Sequence, residues 1–123
     1  PETIPVLIRC LDETALLVKL SVIDTLGQLK DERAAEPLAR LVDQPGPRVQ
    51  AVKALQSLGT KAEKAVLGLL MHPEPEVRQE ACRLLQDIGT AASLPTLQVA
   101  SEDAHRAVAS SAKDAIAAIS RRK

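Results

Sequence analysis

Residues 77–89 read Val-Arg-Gln-Glu-Ala-Cys-Arg-Leu-Leu-Gln-Asp-Ile-Gly, and this stretch decides the fold. Its apolar side chains recur at three- and four-residue intervals, which places them along one side of an α-helix. It closes on Gly89, and glycine is the residue that most often follows the last turn of a helix. The stretch therefore predicts an amphipathic helix that turns an apolar stripe towards a core.

The same pattern occurs four times along the chain. Residues 47–59 match it thirty positions earlier, residues 18–30 lie a further 29 positions back, and residues 108–120 lie 31 positions later. A shorter apolar segment precedes each copy. This period predicts one domain over residues 1–123, made of four two-helix repeats. The predicted repeats cover about residues 1–30, 31–59, 60–89 and 90–120, and their second helices start near residues 18, 47, 77 and 108.

Individual positions of the repeat have a structural meaning. The fifth position is small, as suits two closely packed helices, and reads Val22, Ala51, Ala81 and Ala112. At the thirteenth position, Gly59 and Gly89 are expected to adopt a positive φ just past the helix end. Lys30 and Ser120 replace them in the outer repeats, so we expect those two helix ends to be capped less tightly.

The composition excludes several classes of protein. The chain of 123 residues contains no Phe, Tyr or Trp, so its core is aliphatic and a β-rich fold is disfavoured. Sixteen basic residues balance sixteen acidic ones, which argues against binding to nucleic acid or to an anionic membrane. No apolar stretch is long enough to span a bilayer. We expect a cytoplasmic, monomeric, all-α protein, and the start at Pro1 leaves open that it is a fragment of a longer one.

The motif Val-Arg-x-x-Ala-x-x-x-Leu-x-x-Ile-Gly of residues 77–89 resembles the short HEAT-like repeat of the phycobilisome-lyase (PBS lyase) type. The joining segment, residues 31–38, is similar to the link between repeats in that family. The resemblance implies a right-handed α-solenoid whose second helices line a concave side. It also implies that the protein binds other proteins, although a fold by itself does not assign a function.

A concave side lined by second helices would expose the third, seventh, tenth and eleventh positions of each repeat. This face is predicted to have an apolar end, a basic and amide-rich middle, and a polar far end. Opposite charges at the seventh position could pair between neighbouring repeats. The candidate protein-binding residues are Leu20, Asp24, Val49, Lys53, Gln56, Gln79, Arg83, Gln86 and Asp114.

A second set of basic residues is predicted to be structural. Lys19, Arg48 and Arg78 occupy the second position of their repeats. In the family that the chain resembles, such side chains reach carboxylates near the repeat turns. The candidate carboxylates are Asp12, Asp43, Glu74 and Glu76. The basic end of the chain, residues 121–123, is expected to be a solvated tail that complements the dipole of the last helix.

No catalytic, cofactor-binding or metal-binding residue is predicted. Cys10 and Cys82 are expected to be reduced packing residues, and His72 and His105 to be isolated and exposed. We therefore expect a non-catalytic interaction module that works without a cofactor. Two alternatives remain open: a bilin lyase or lyase subunit, which the absence of aromatic residues disfavours, and a purely structural segment of a longer solenoid. A nucleic-acid-binding role is disfavoured by the balanced charge.

Overall fold

A computed structural model describes residues 4–5, 8 and 16–122, and side chains of all of these except Leu16 and Val18. No residue within these ranges lies in a β-strand, and the predicted all-α fold class is confirmed. The α-helices are α1 (Leu16–Leu29), α2 (Ala35–Arg40), α3 (Arg48–Leu58), α4 (Glu63–Leu69), α5 (Pro75–Ile88), α6 (Leu94–Ala100) and α7 (Arg106–Arg121).

The predicted alternation of long and short helices is present in the described residues. The longer helices α1, α3, α5 and α7 are the second helices of the repeats, and each begins within two residues of its predicted start. The shorter helices α2, α4 and α6 are first helices, and a 3-10 turn leads into each of them. Pro75 is the first residue of α5, where its missing N–H costs no helical hydrogen bond.

The chain divides into two compact units, Pro1–Ala62 and Glu63–Lys123. In the first unit, α3 packs against both α1 and α2. The core is aliphatic, and its most deeply buried side chains include Ile23, Leu26, Leu38, Val42 and Leu55. A Cβ atom added at Gly27 would lie only 3.1 Å from the Cα atom of Ala54, so glycine lets α1 and α3 approach closely.

In the second unit, α5 packs against α7 and α4, while α6 packs against α7. Its core contains Val66, Val77, Leu84, Leu85, Leu97 and Val108, all almost inaccessible to solvent. Small residues of α5 and α7 are fully buried, namely Ala81, Cys82, Ala112 and Ala115. The units thus use the same construction, in which short apolar side chains let neighbouring helices come close.

The predicted apolar stripe is buried in most positions. Val22, Ala51, Ala81 and Ala112 are all buried, which confirms that the fifth position faces the core. Leu29 is an exception, because half of its surface is exposed at the last residue of α1.

The helix ends differ from the prediction at two places. Gly59 has the expected positive φ of 62°, but Gly89 has a φ of −73° and an extended backbone. Gly89 is needed for space instead, since a Cβ atom there would lie 2.6 Å from the carbonyl oxygen of Leu85. Lys30 also adopts a positive φ, 53°, so the left-handed ending of α1 is kept without glycine.

Candidate functional site

Arg78 is a framework residue that links two turns of the second unit. Its Nε atom lies 2.8 Å from Oδ2 of Asp103, and its Nη1 atom donates to the carbonyl oxygens of His72 and Pro73. The structural role is as predicted, but the carboxylate partner belongs to the following repeat and is neither Glu74 nor Glu76. Hydrogen bonding from the His105 N–H, opposed by burial and aided by Arg78, lowers the pKa of Asp103.

Arg48 has a similar role in the first unit. Its Nε atom donates to the carbonyl oxygen of Val42 at 2.6 Å, which ties the start of α3 to the turn before it. Lys19, the corresponding residue of α1, is half-buried, and its predicted partner Asp12 lies outside the described residues. In the second and third repeats, the second position is therefore occupied by an arginine that bonds to the preceding turn.

Glu63, a buried carboxylate at the start of α4, was not predicted as a structural residue from the sequence. Its oxygens accept hydrogen bonds from the Thr90 N–H at 2.7 Å, from the Thr90 hydroxyl and from the Ser93 hydroxyl. Burial opposes the charge, yet these hydrogen bonds outweigh it and lower the pKa of Glu63. Glu63 and Ser93 occupy the same position of successive repeats, thirty residues apart, which is the signal that could have revealed the pair.

Basic side chains also bind the carbonyl ends of second helices. Lys61 donates from Nζ to the carbonyl oxygen of Lys30 at 2.9 Å. Arg122 donates to the carbonyl oxygens of Gln86 and Gly89 at 2.5 and 2.6 Å. The prediction of a merely solvated basic tail is therefore wrong for Arg122, because its guanidinium bonds to the carbonyl end of α5, while its backbone N–H caps its own helix through Ile119.

The α1–α3 face consists of the predicted residues of the first unit: Leu20, Asp24, Val49, Lys53 and Gln56. Leu20 is half-buried and the other four are exposed, with 57% of Val49 accessible to solvent. Within the described part of the chain, the side chains of Asp24 and Lys53 form no hydrogen bond or ion pair. The suggested pairing between them is thus not formed, and both charges remain available.

Asp24 and Lys53 nevertheless line one recess of about 210 Å³ between α1 and α3. The other lining residues are Gly27, Gln28, Ala54 and Ser57. Gly27 and Ala54 are buried and form the bottom, whereas the four polar residues are exposed and form the rim. We call this the α1–α3 recess.

The α5–α7 face consists of the predicted residues of the second unit: Gln79, Arg83, Gln86 and Asp114. Gln79 and Gln86 are half-buried, and Arg83 and Asp114 are exposed. Arg83 lies 3.2 Å from the carboxylate of Glu80 in its own helix, so its charge is partly compensated. A separate recess of about 230 Å³ lies near the end of α5 and is lined by Gly89, Thr90, Ala91, Ile119 and Arg122.

The remaining residues considered in the sequence are two cysteines and two histidines. Cys82 is fully buried, and burial, with a smaller effect of Asp103, raises the pKa of its thiol to about 11. The imidazole of His72 accepts a hydrogen bond from the Glu74 N–H, and His105 is exposed. Cys10 lies outside the described residues. Across the residues that the structure describes, no group of three or more His, Cys, Asp or Glu side chains could hold a metal ion.

The described helices include none that is long and apolar enough to cross a membrane. A common concave surface containing both Lys53 and Arg83 remains a prediction, as does the right-handed superhelix.

Comparison with known families agrees with the repeat pattern. A family model described as HEAT repeats matches residues 43–117, and a model described as the PBS lyase HEAT-like repeat matches residues 18–44. A search of curated protein sequences gives no match. The first family match spans α3 to α7 and covers more than half of the chain, so the chain belongs to the family of HEAT-repeat proteins.

Proposed function

We propose that this HEAT-repeat chain is a non-catalytic scaffold that binds a protein or peptide on the exposed sides of its second helices. The observation that supports the proposal is that the polar side chains fall into two groups. One group bonds to turns and helix ends inside the fold, and another group on the second helices is exposed and forms no bond within the described residues.

The contacts within the fold define the first group. Arg48, Arg78, Glu63 and Arg122 all bond to backbone or side-chain groups of neighbouring turns. These residues hold the repeats in place, and replacing them would damage the structure before it affected a partner.

The side chains of the second group do not bond to turns or helix ends within the described residues. In the described part of the chain, the side chains of Asp24, Lys53 and Asp114 form no hydrogen bond or ion pair, and all three are exposed. Val49 of α3 adds an exposed apolar side chain to this group. Protein-binding surfaces combine apolar contacts with polar groups that the partner completes, which matches this composition.

The proposal includes the setting in which the scaffold acts. The equal numbers of acidic and basic residues favour a protein partner over nucleic acid or an anionic membrane. A fully buried Cys82 thiol suits a reducing compartment, which supports a cytoplasmic location. We propose that the protein acts there as a monomer, without a cofactor.

Site-specific photo-crosslinking tests the proposal. A photoreactive amino acid is placed at Val49 or Gln79 on the second helices, and at the exposed controls Glu36 or Gln98 on the first helices. In extract from the source cells, we expect defined protein adducts from the first two positions only, because the partner covers second helices and not first helices.

A charge reversal shows whether the adducts reflect specific binding. We expect Lys53→Glu combined with Arg83→Glu to abolish them, whereas the matched reversal of the exposed first-helix cations, Arg40→Glu with Lys64→Glu, leaves them intact. Adducts that form only at the control positions, or that survive the first reversal, would move the interface elsewhere on the molecule.

A further inference from the structure

The α1–α3 recess is small and has a mixed lining. Its volume of about 210 Å³ is below the roughly 300–1,000 Å³ typical of small-molecule sites, so it suits a single side chain of a partner protein. Buried Gly27 and Ala54 form its bottom and contribute no long side chain. The recess can therefore accept a side chain that enters end-on from the solvent.

The rim determines which side chain fits. Asp24 offers an exposed carboxylate, and Gln28 and Ser57 offer further acceptor oxygens. An arginine guanidinium matches this set best, because its planar array of N–H groups bonds a carboxylate at two points and still reaches neighbouring acceptors. Arginine is also among the residues that contribute most to protein interfaces.

Lys53 adds a second requirement. Lys53 lines the same recess, and its positive charge would repel an isolated cation. An acidic residue close to the arginine in the partner removes this repulsion by pairing with Lys53. An acidic side chain alone would instead be repelled by the carboxylate of Asp24. A partner therefore needs both a positive and a negative side chain to pair with the two charges of the rim.

We propose that the α1–α3 recess binds a partner segment that inserts an arginine towards Asp24 while a nearby acidic side chain pairs with Lys53. This inference rests on the proposed scaffold function and gives its partner a chemical description. It concerns the first unit alone.

Peptide selection on the full chain tests the inference. A phage library of random dodecapeptides is selected on the immobilised protein, and enriched peptides are synthesised with a fluorophore for anisotropy titration. We expect the enriched sequences to combine arginine with Asp or Glu a few positions away. Replacing that arginine with lysine should weaken binding by about tenfold, because the two-point hydrogen bonding is lost.

Matched variants of the protein locate the binding site. Asp24→Asn should weaken binding by about tenfold or more, and Lys53→Gln by several-fold, since each removes one charged partner. Glu36→Gln is the control for the first, because it removes one exposed carboxylate of the same unit outside the predicted binding face. Lys64→Gln is the control for the second. Thermal unfolding followed by circular dichroism confirms that each variant is folded.

Three results would overturn the inference: enrichment of peptides without arginine, equal binding to Asp24→Asn, or no enrichment at all. The scaffold function itself is judged separately, by whether the photo-crosslinks at Val49 and Gln79 form and respond to charge reversal. Crosslinks that form while the peptide selection fails would leave the scaffold in place with a different partner chemistry.

Discussion

At the scale of single residues, Glu63 makes stability depend on pH. Its pKa in the folded state is lowered from the usual 4.5, so the folded protein releases this proton more readily than the unfolded chain. The stabilisation is fully present above about pH 4.5 and is lost as the pH falls through the lower, folded pKa.

We therefore expect Glu63→Gln to reduce the free energy of unfolding at pH 7 by about 1–3 kcal/mol, the cost of disturbing buried hydrogen bonds. The difference from the unmodified protein should shrink as the pH is lowered towards 3. Urea titrations followed by circular dichroism across this pH range measure it. Glu36→Gln, at an exposed position of α2, is the control. A difference that is constant with pH would show that the Glu63 charge contributes nothing.

The ion pair between Arg78 and Asp103 leads to a second prediction at the scale of single residues, about the stability that each partner contributes. Its side chains are only 17% and 14% exposed, so solvent screens the pair less than a surface pair. We expect Arg78→Met to cost about 2–4 kcal/mol, because it removes the guanidinium that pairs with the Asp103 carboxylate and donates to two carbonyl groups. Asp103→Asn should cost less, since Arg78 keeps its bonds to His72 and Pro73. Denaturant unfolding of both variants and of the double variant tests this order.

At the scale of helices, α1 and α3 are each followed by a residue with positive φ, and substitutions at these two residues should change the free energy of unfolding in opposite directions. Lys30 carries a side chain at φ 53°, whereas Gly59 has φ 62° and open space around its Cα atom. Lys30→Gly should stabilise the protein by up to about 1 kcal/mol. The substitution removes the backbone strain of Lys30 in the folded state, and this gain exceeds the cost of the greater conformational entropy that glycine gives the unfolded chain. Gly59→Ala should cost about 1–3 kcal/mol.

Midpoints of thermal unfolding measure both changes. Because nothing lies within 4 Å of an added Cβ at Gly59, a loss there reports backbone strain alone. Destabilisation by Lys30→Gly would mean that the entropy of the unfolded chain dominates at that helix end.

The same helices show what sequence periodicity can and cannot predict. The buried fifth position, from Val22 to Ala112, followed from spacing alone because a helix repeats its facing every three to four residues. The partner of Arg78 and the cap of α5 by Arg122 did not follow, since each depends on a neighbouring repeat brought close only by folding. Gly89 was predicted for its φ, but its role is set by the nearby Leu85 carbonyl.

At the scale of the whole molecule, balanced charge governs behaviour in solution. With sixteen acidic and sixteen basic residues, the net charge is zero at pH 7. We expect solubility to pass through a minimum near neutral pH, because like-charge repulsion between molecules is weakest there. Light scattering at fixed concentration from pH 5 to 9 measures it. Lys113→Glu, at an exposed position of α7, should shift the minimum to lower pH.

The candidate surfaces were also predictable only in part. The seventh position was correctly expected to be exposed in Asp24, Lys53, Arg83 and Asp114. Its charge pattern was not, because Arg83 pairs with Glu80 along its own helix. The α1–α3 recess arises from the absence of a side chain at Gly27 next to Ala54, a property of two helices in contact that neither helix shows by itself.

The buried thiol of Cys82 provides a chemical probe of opening in the second unit. Its sulfur lies 3.9 Å from the Val108 carbonyl oxygen, between α5 and α7, and a disulfide reagent can reach it only after those helices separate. In a Cys10→Ser background, the rate of modification therefore counts opening events in native conditions. A partner that binds across α5 and α7 would lower the rate of Cys82 modification. Binding could thus be followed in a protein that has no aromatic residue to report it by fluorescence.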